Sequence, residues 1–244
     1  MRDDEDEDDI ERSESGAPIH RHTPREKGFE LVTGDEQTIE AISDHITEFV
    51  GPIESVWHEL ISDLVHIDVH LVAPTRRHDF FTLVTSGMSD RPMQAPEGHE
   101  DKKYSELLIC LPPDWKLSEK AFQKERWYWP IRWLKQLSRL PHEYDTWLWE
   151  HHTVPNGDPP EPFADNTDLC CAYLLRPALF DKEFRKLRIN KRKTVYFHAL
   201  VPLYEEEMNY KLKIGSDELL DRLDAADVTE LLDIERPNVC KRRR

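Results

Sequence analysis

Eight glycines among 244 residues are a thin supply for loops that approach a phosphate closely. The stretch Ser86-Gly87-Met88-Ser89 holds one glycine, and no G-K-[ST] follows it, so a phosphate-cradling loop has no basis there. It also lacks the flanking spacing of a G-x-S-x-G elbow, which removes the usual serine-nucleophile reading. Cysteine is scarcer still, at positions 110, 170, 171 and 240 with no C-x-x-C. On a strand, adjacent Cys170 and Cys171 would point to opposite faces. Neither a disulfide framework nor a cysteine-held zinc is indicated, and no cofactor is expected. No apolar run approaches the roughly eighteen residues of a membrane helix, and the first residues lack an apolar leader core. The expectation is a soluble, reduced, cytoplasmic protein with no membrane role. Positive charge is in deficit as well. Lys plus Arg number 33 against 49 Asp plus Glu, a net of −16, which disfavours nucleic acid as a partner and suits a basic one.

What is present points to a folded chain. Hydrophobic residues make up 38% and there are seven tryptophans, enough for a substantial core at this length. The acidic excess is uneven. "MRDDEDEDDIERSES" carries −7 of the −16 and leaves −9 for everything after it. An acidic run without apolar periodicity reads as a solvated tail, so residues 1–33 are expected to be disordered, 34–236 to form one domain, and 237–244 to be a basic end.

Along the domain, Ile39, Ile42, Ile46, Phe49 and Val50 recur at helical spacing behind Asp35, and Gly51-Pro52 ends the helix. "VHIDVHLV" (65–72) alternates, with Ile67, Val69 and Leu71 on one face and His66, Asp68 and His70 on the other. "DFFTLVT" (79–85) and "SELLICLP" (105–112) are apolar on both faces and so belong inside a sheet. The loop between them, 86–103, is long enough to suspect a role. "SEKAFQKERWYW" predicts a short helix, and Pro130 suits the first position of a second one that Pro141 stops. "YDTWLWEHH", "TDLCCAYLLRP" and "TVYFHALVPLY" read as strands, with the proline-rich "TVPNGDPPEPF" as a loop. Two C-terminal helices are expected. One carries Leu219, Leu220 and Leu223 behind Ser216; the other carries Val228, Leu231 and Leu232 behind Asp227, with Glu230 completing a capping box. Strands and helices come in blocks, which predicts an α+β fold: a mixed, mostly antiparallel central sheet flanked by helices.

Three chemistries are conceivable. His66, Asp68 and His70 share a face at strand spacing and could ligate zinc or iron in a metal-dependent hydrolase, against the plainer role of a polar sheet face. The acids from Glu205 to Glu235 interleave with leucines, so they read as the outer faces of amphipathic helices and a possible docking surface, not as paired catalytic carboxylates. "KEFRKLRINKRK" (182–193) has seven bases and one acid but a single aromatic, which supports a single-strand stacking platform only weakly.

The order of particular stretches is more telling. "IDVHLVAPT", "FFTLVTSGMSDRPM", "ELLICLPPDW", "HTVPNGDPPEPFADNT", "LLRP" and "VPLYEEEMNYKL" together resemble the Suppressor of fused domain family over about residues 35–235. The resemblance implies an α+β domain that binds proteins and has no known catalytic activity. In animals the namesake restrains hedgehog signalling by holding a transcription factor and carries a further peptide-clamping domain, for which this chain is too short. Single-domain bacterial members are proposed to act as immunity proteins beside secreted toxins. An acidic inhibitor would be steered onto a basic toxin domain. Candidate partner contacts are Ser86, Met88, Asp90 and Met93 in one loop, and His152, Asn156 and Asp165 in another, with the two methionines either adaptable contacts or anchors of their own loop.

Overall fold

The computed structural model describes residues 10–23, 28, 30–59 and 62–241. Helix α1, Glu36–Phe49, leads into strand β1, Ile53–Trp57, then β2, Asp68–Val72, β3, Phe81–Ser86, and β4, Ser105–Leu111. A short turn of helix α2, Glu119–Phe122, and the long α3, Glu125–Glu143, follow. The chain returns as β5, Thr153–Pro155, β6, Cys171–Leu175, β7, Lys186–Arg188, and β8, Thr194–Leu203, and closes with α4, Glu205–Ile214, and α5, Ser216–Asp224.

Among the described residues the strands form one sheet in the order β1-β2-β3-β4-β8-β6-β5, with β7 also on β8. Only the β4–β8 pair is parallel, so the sheet is mixed and mostly antiparallel, as expected. The apolar-on-both-faces pattern of β3 and β4 places them inside it. On β4, Leu107, Ile109 and Leu111 pack with Trp129, Ile131, Leu134 and Leu137 of α3. Leu108 and Cys110 pack on the opposite side with Ile42 and Ile46 of α1. Met208, Leu219 and Leu223 of α4 and α5 close over Cys171, Tyr173 and Leu203. At about 25 cal/mol per Å² of apolar surface, these interfaces supply most of the drive for folding.

Several sequence expectations are corrected here. "YDTWLWEHH" is not a strand, because Asp145 (φ 48°) and His151 (φ 67°) break extension at either end. The strand begins two residues later, inside the presumed proline loop. Pro130 and Pro141 both lie within α3, where burial of Trp129, Ile131, Trp133 and Leu137 outweighs the hydrogen bond that a proline forgoes. Ser216 is the first residue of α5, not its cap. Residues 227–232 form no helix. They run beside β4 instead, where Cys110 N–H donates to Glu230 O at 2.9 Å and Leu232 N–H to Cys110 O at 2.8 Å. Of the expected tails, residues 1–9, 24–27, 29 and 242–244 lie outside the described residues. Ser15 N–H donates to Leu212 O of α4 at 3.0 Å, and Leu64 N–H donates to Glu30 O at 3.1 Å, so the described part is tied to the domain at two separate places. The basic segment 182–193 contains a 3₁₀ turn and β7.

Candidate functional site

The loop after β3 turns through Gly87, whose φ of 102° needs a glycine, and the turn is pressed onto the chain before β2. A Cβ at Gly87 would stand 1.7 Å from the His66 carbonyl oxygen, so no side chain fits. The loop is held from below by Glu106 of β4, which is fully buried. Its carboxylate accepts Thr85 Oγ1 at 2.6 Å, Ser89 Oγ at 2.7 Å and Ser89 N–H at 2.9 Å. Burial pushes this carboxyl up to about 7 even against those donors.

Met88 and Met93 are 0% and 2% exposed, so of the two roles weighed for them the structure gives the anchor. Ser86 is also buried, its hydroxyl 2.9 Å from His70 Nε2. Asp90 is half-buried and accepts Asp35 N–H at 2.9 Å, tying the loop to the start of α1, and burial raises its pKa. Ser86, Met88 and Met93 therefore face inward, while Asp90 is half-buried and Pro92 and Gln94 are exposed.

The expected polar face of β2 is buried too. His70 sits in the sheet, its imidazole driven down to about 4 by desolvation. Asp68 is held by His58 Nδ1 at 2.9 Å, His66 Nε2 at 3.1 Å and Glu59 N–H at 3.3 Å. The potential ligand atoms of His58, His66 and Asp68 all lie within 4.8 Å of one another. The set that gathers therefore replaces His70 with His58, a residue that β-strand spacing could not bring in. The hydroxyl of Ser62 lies between His66 Nδ1, at 2.8 Å, and Glu59, at 2.9 Å. Burial raises the Glu59 carboxyl, but the charge and hydrogen bond of Arg139 more than offset this and hold it low. Each polar atom of Asp68 is thus satisfied by protein donors, which is what a buried carboxylate requires.

The second loop faces outward. Asn156 folds it, its Nδ2 donating to Glu161 O at 2.8 Å and Pro162 O at 3.0 Å. Asp158, Glu161, Asp165 and Asp168 are exposed along it, with Asp165 paired to Arg126 at 3.3 Å. His152 lies half-buried at its base, its pKa lowered to about 4, mainly by burial. A cleft of about 250 Å³, lined by Pro160, Pro162, Asp168, Tyr204, Glu205 and Glu206 among others, joins this loop to α4. Exposed Asp217, Glu218, Asp221 and Asp224 continue the acidic face along α5. Glu207 departs from this outward pattern. It is fully buried and held by Arg236 at 2.7 and 2.6 Å and by Val239 N–H at 2.9 Å, which ties the last residue of the expected domain and the start of the expected basic end onto α4.

Sequence reasoning missed His58, Glu106, Glu207 and Glu230. An acid flanked by apolar residues on an otherwise continuous strand, as in "SELLICL", was the available signal for Glu106. Nothing local marked the others.

A model of the Suppressor of fused protein (SUFU) family matches residues 63–237. Similar solved structures include a SUFU homolog from Neisseria gonorrhoeae, 16% identical, TM-score 0.64, covering 86% of this chain and 100% of that one. The Sufu–Fu complex structure is 15% identical with a TM-score of 0.59, over 83% of this chain and 92% of that one. Drosophila Suppressor of Fused is 13% identical with a TM-score of 0.56, over 83% of this chain and 51% of that one. No relative among the curated proteins matches.

Proposed function

The chain belongs to the Suppressor of fused family, and from that premise we propose that it is a non-enzymatic protein-binding domain whose acidic face holds and occludes a basic toxin domain, as an immunity-type inhibitor. The observation that supports this is the run of exposed acids on the 156–168 loop, α4 and α5, joined by the cleft beside Tyr204. Such a face raises the encounter rate with a basic surface and discriminates against acidic ones. The solved complex of a relative, Sufu with Fu, supports protein binding as the mode. His152, Asn156 and Asp165 lie at or beside this face; of them, Asp165 is exposed and Asn156 shapes the loop.

The test is co-expression with the product of the neighbouring gene, scored by growth and by a one-to-one complex on gel filtration. The expected result is rescue by the wild type and loss of both readouts when Glu205, Glu206, Asp217 and Glu218 are reversed to lysine. No rescue and no complex with the wild type would overturn the toxin reading. Rescue undiminished by the charge reversals would remove the acidic face from it.

A further inference from the structure

Strand β8 is not fully covered along its outer edge. There β7 pairs with Thr194, Val195 and Tyr196, while β6 pairs with Ala199 through Leu203. Between them Phe197 and His198 have a strand neighbour only on the other side, where β4 runs. A pocket of about 480 Å³ opens at this gap, with Trp149, Tyr196, Phe197 and His198 in its wall. This is the size range of small-ligand sites.

His198 is 1% exposed, and neither ring nitrogen has a hydrogen-bond partner among the described residues. A buried polar group left without a partner is destabilising, so such a group in a cavity wall marks a place where a ligand can complete it. Desolvation pushes its pKa down to about 3, so the ring is neutral and offers one donor and one acceptor. Trp149 packs edge-on against it, ring centroids 4.7 Å apart, and fixes its orientation.

The rim has the opposite sign to the rest of the chain. Arg176, Lys182, Arg185 and Lys186 stand against Glu150 and Glu183. Arg176 is held by both carboxylate oxygens of Glu150 at 2.7 Å, and Arg185 Nε by the Pro177 carbonyl at 3.1 Å. Lys182 and Lys186 are exposed and have no ion-pair partner among the described residues.

We propose that this pocket binds an organic anion carrying a flat heterocycle, of which a nucleoside monophosphate is the type. The heterocycle edge would meet His198 between the aromatic walls, and the anionic group would lie among Lys182, Arg185 and Lys186. The basic stretch 182–193 thereby gains a use that the acidic-face reading leaves it without, and none of the pocket residues belongs to that face.

The test is isothermal titration of the full chain with 5′-AMP, adenosine and inorganic phosphate, on the wild type, on K182E/K186E and on H198F. The expected result is one AMP per chain, with adenosine and phosphate each at least about tenfold weaker. Because Lys182 and Lys186 are exposed, K182E/K186E keeps its fold; it should lose about tenfold in AMP affinity. H198F should lose AMP affinity while keeping its residual phosphate binding. No saturable AMP binding at millimolar concentration, undiminished binding by K182E/K186E, or phosphate binding as tightly as AMP would overturn the proposal. So would binding of a short single-stranded oligonucleotide without any binding of AMP.

Discussion

Replacing Glu106 with glutamine should reshape the pH dependence of stability. In the folded chain its carboxyl titrates near 7 instead of 4.5, because it is sealed under the 86–90 loop. The native state therefore keeps a proton between those two values that the unfolded chain has released. Stability then falls as pH rises from 4.5 to about 7 and is flat above. At 1.36 kcal/mol per unit, the loss attributable to this one group is about 3 kcal/mol. Glutamine keeps the shape and an acceptor oxygen but carries no charge to bury. Buried His70 and His198 and half-buried His152, with pKa values of about 4, 3 and 4, act with the opposite sign, losing stability as pH falls below their ordinary value of 6.5. They are common to both proteins and cancel in the comparison. Urea unfolding of wild type and Glu106→Gln from pH 4.5 to 8 should show the variant gaining about 3 kcal/mol on the wild type over that range. A difference that stays constant with pH would refute the assignment of a buried, proton-holding carboxyl.

Gly87→Ala, with its added carbon 1.7 Å from the His66 carbonyl, should cost at least about 3 kcal/mol or abolish soluble expression, read by thermal melting. Met88→Ala should lower stability by about 2–5 kcal/mol as a core truncation while leaving partner affinity unchanged, since Met88 is 0% exposed. Arg236→Met should cost about 3–5 kcal/mol by leaving Glu207 charged and buried, and Glu207→Gln in the same chain should recover part of it in denaturant titrations.

What the sequence made legible followed local periodicity. β3, β4 and β8 showed as apolar runs, and α1 and α5 as stripes. Where the reading failed, a distant contact overrode the local signal. Residues 227–232 carry a helical pattern, yet the free edge of β4 holds them by a single parallel bridge at Cys110, and Glu230 turns to accept Ala178 and Leu179 N–H at 2.8 and 2.9 Å. "TWLWEHH" alternates like a strand, but Trp149 packs over Tyr196 and His198 and Trp147 stacks on His99, and the backbone bends to place them. The site residues divided in the same way. The 86–93 loop is polar in sequence, yet Ser86 and Ser89 are taken up by His70 and Glu106 and both methionines are buried. The 152–166 loop, built by Asn156 and prolines, did face outward.

The tie between Glu207 and Arg236 spans 29 residues of chain. A nascent polypeptide makes the acid well before the cation, so for that interval α4 has a carboxylate it can neither bury nor neutralise. Until the arginine is made, the layer of Met208, Leu219 and Leu223 over the sheet sits beside an acid that lacks its cation, and a chain ending before position 236 would keep that acid unpaired.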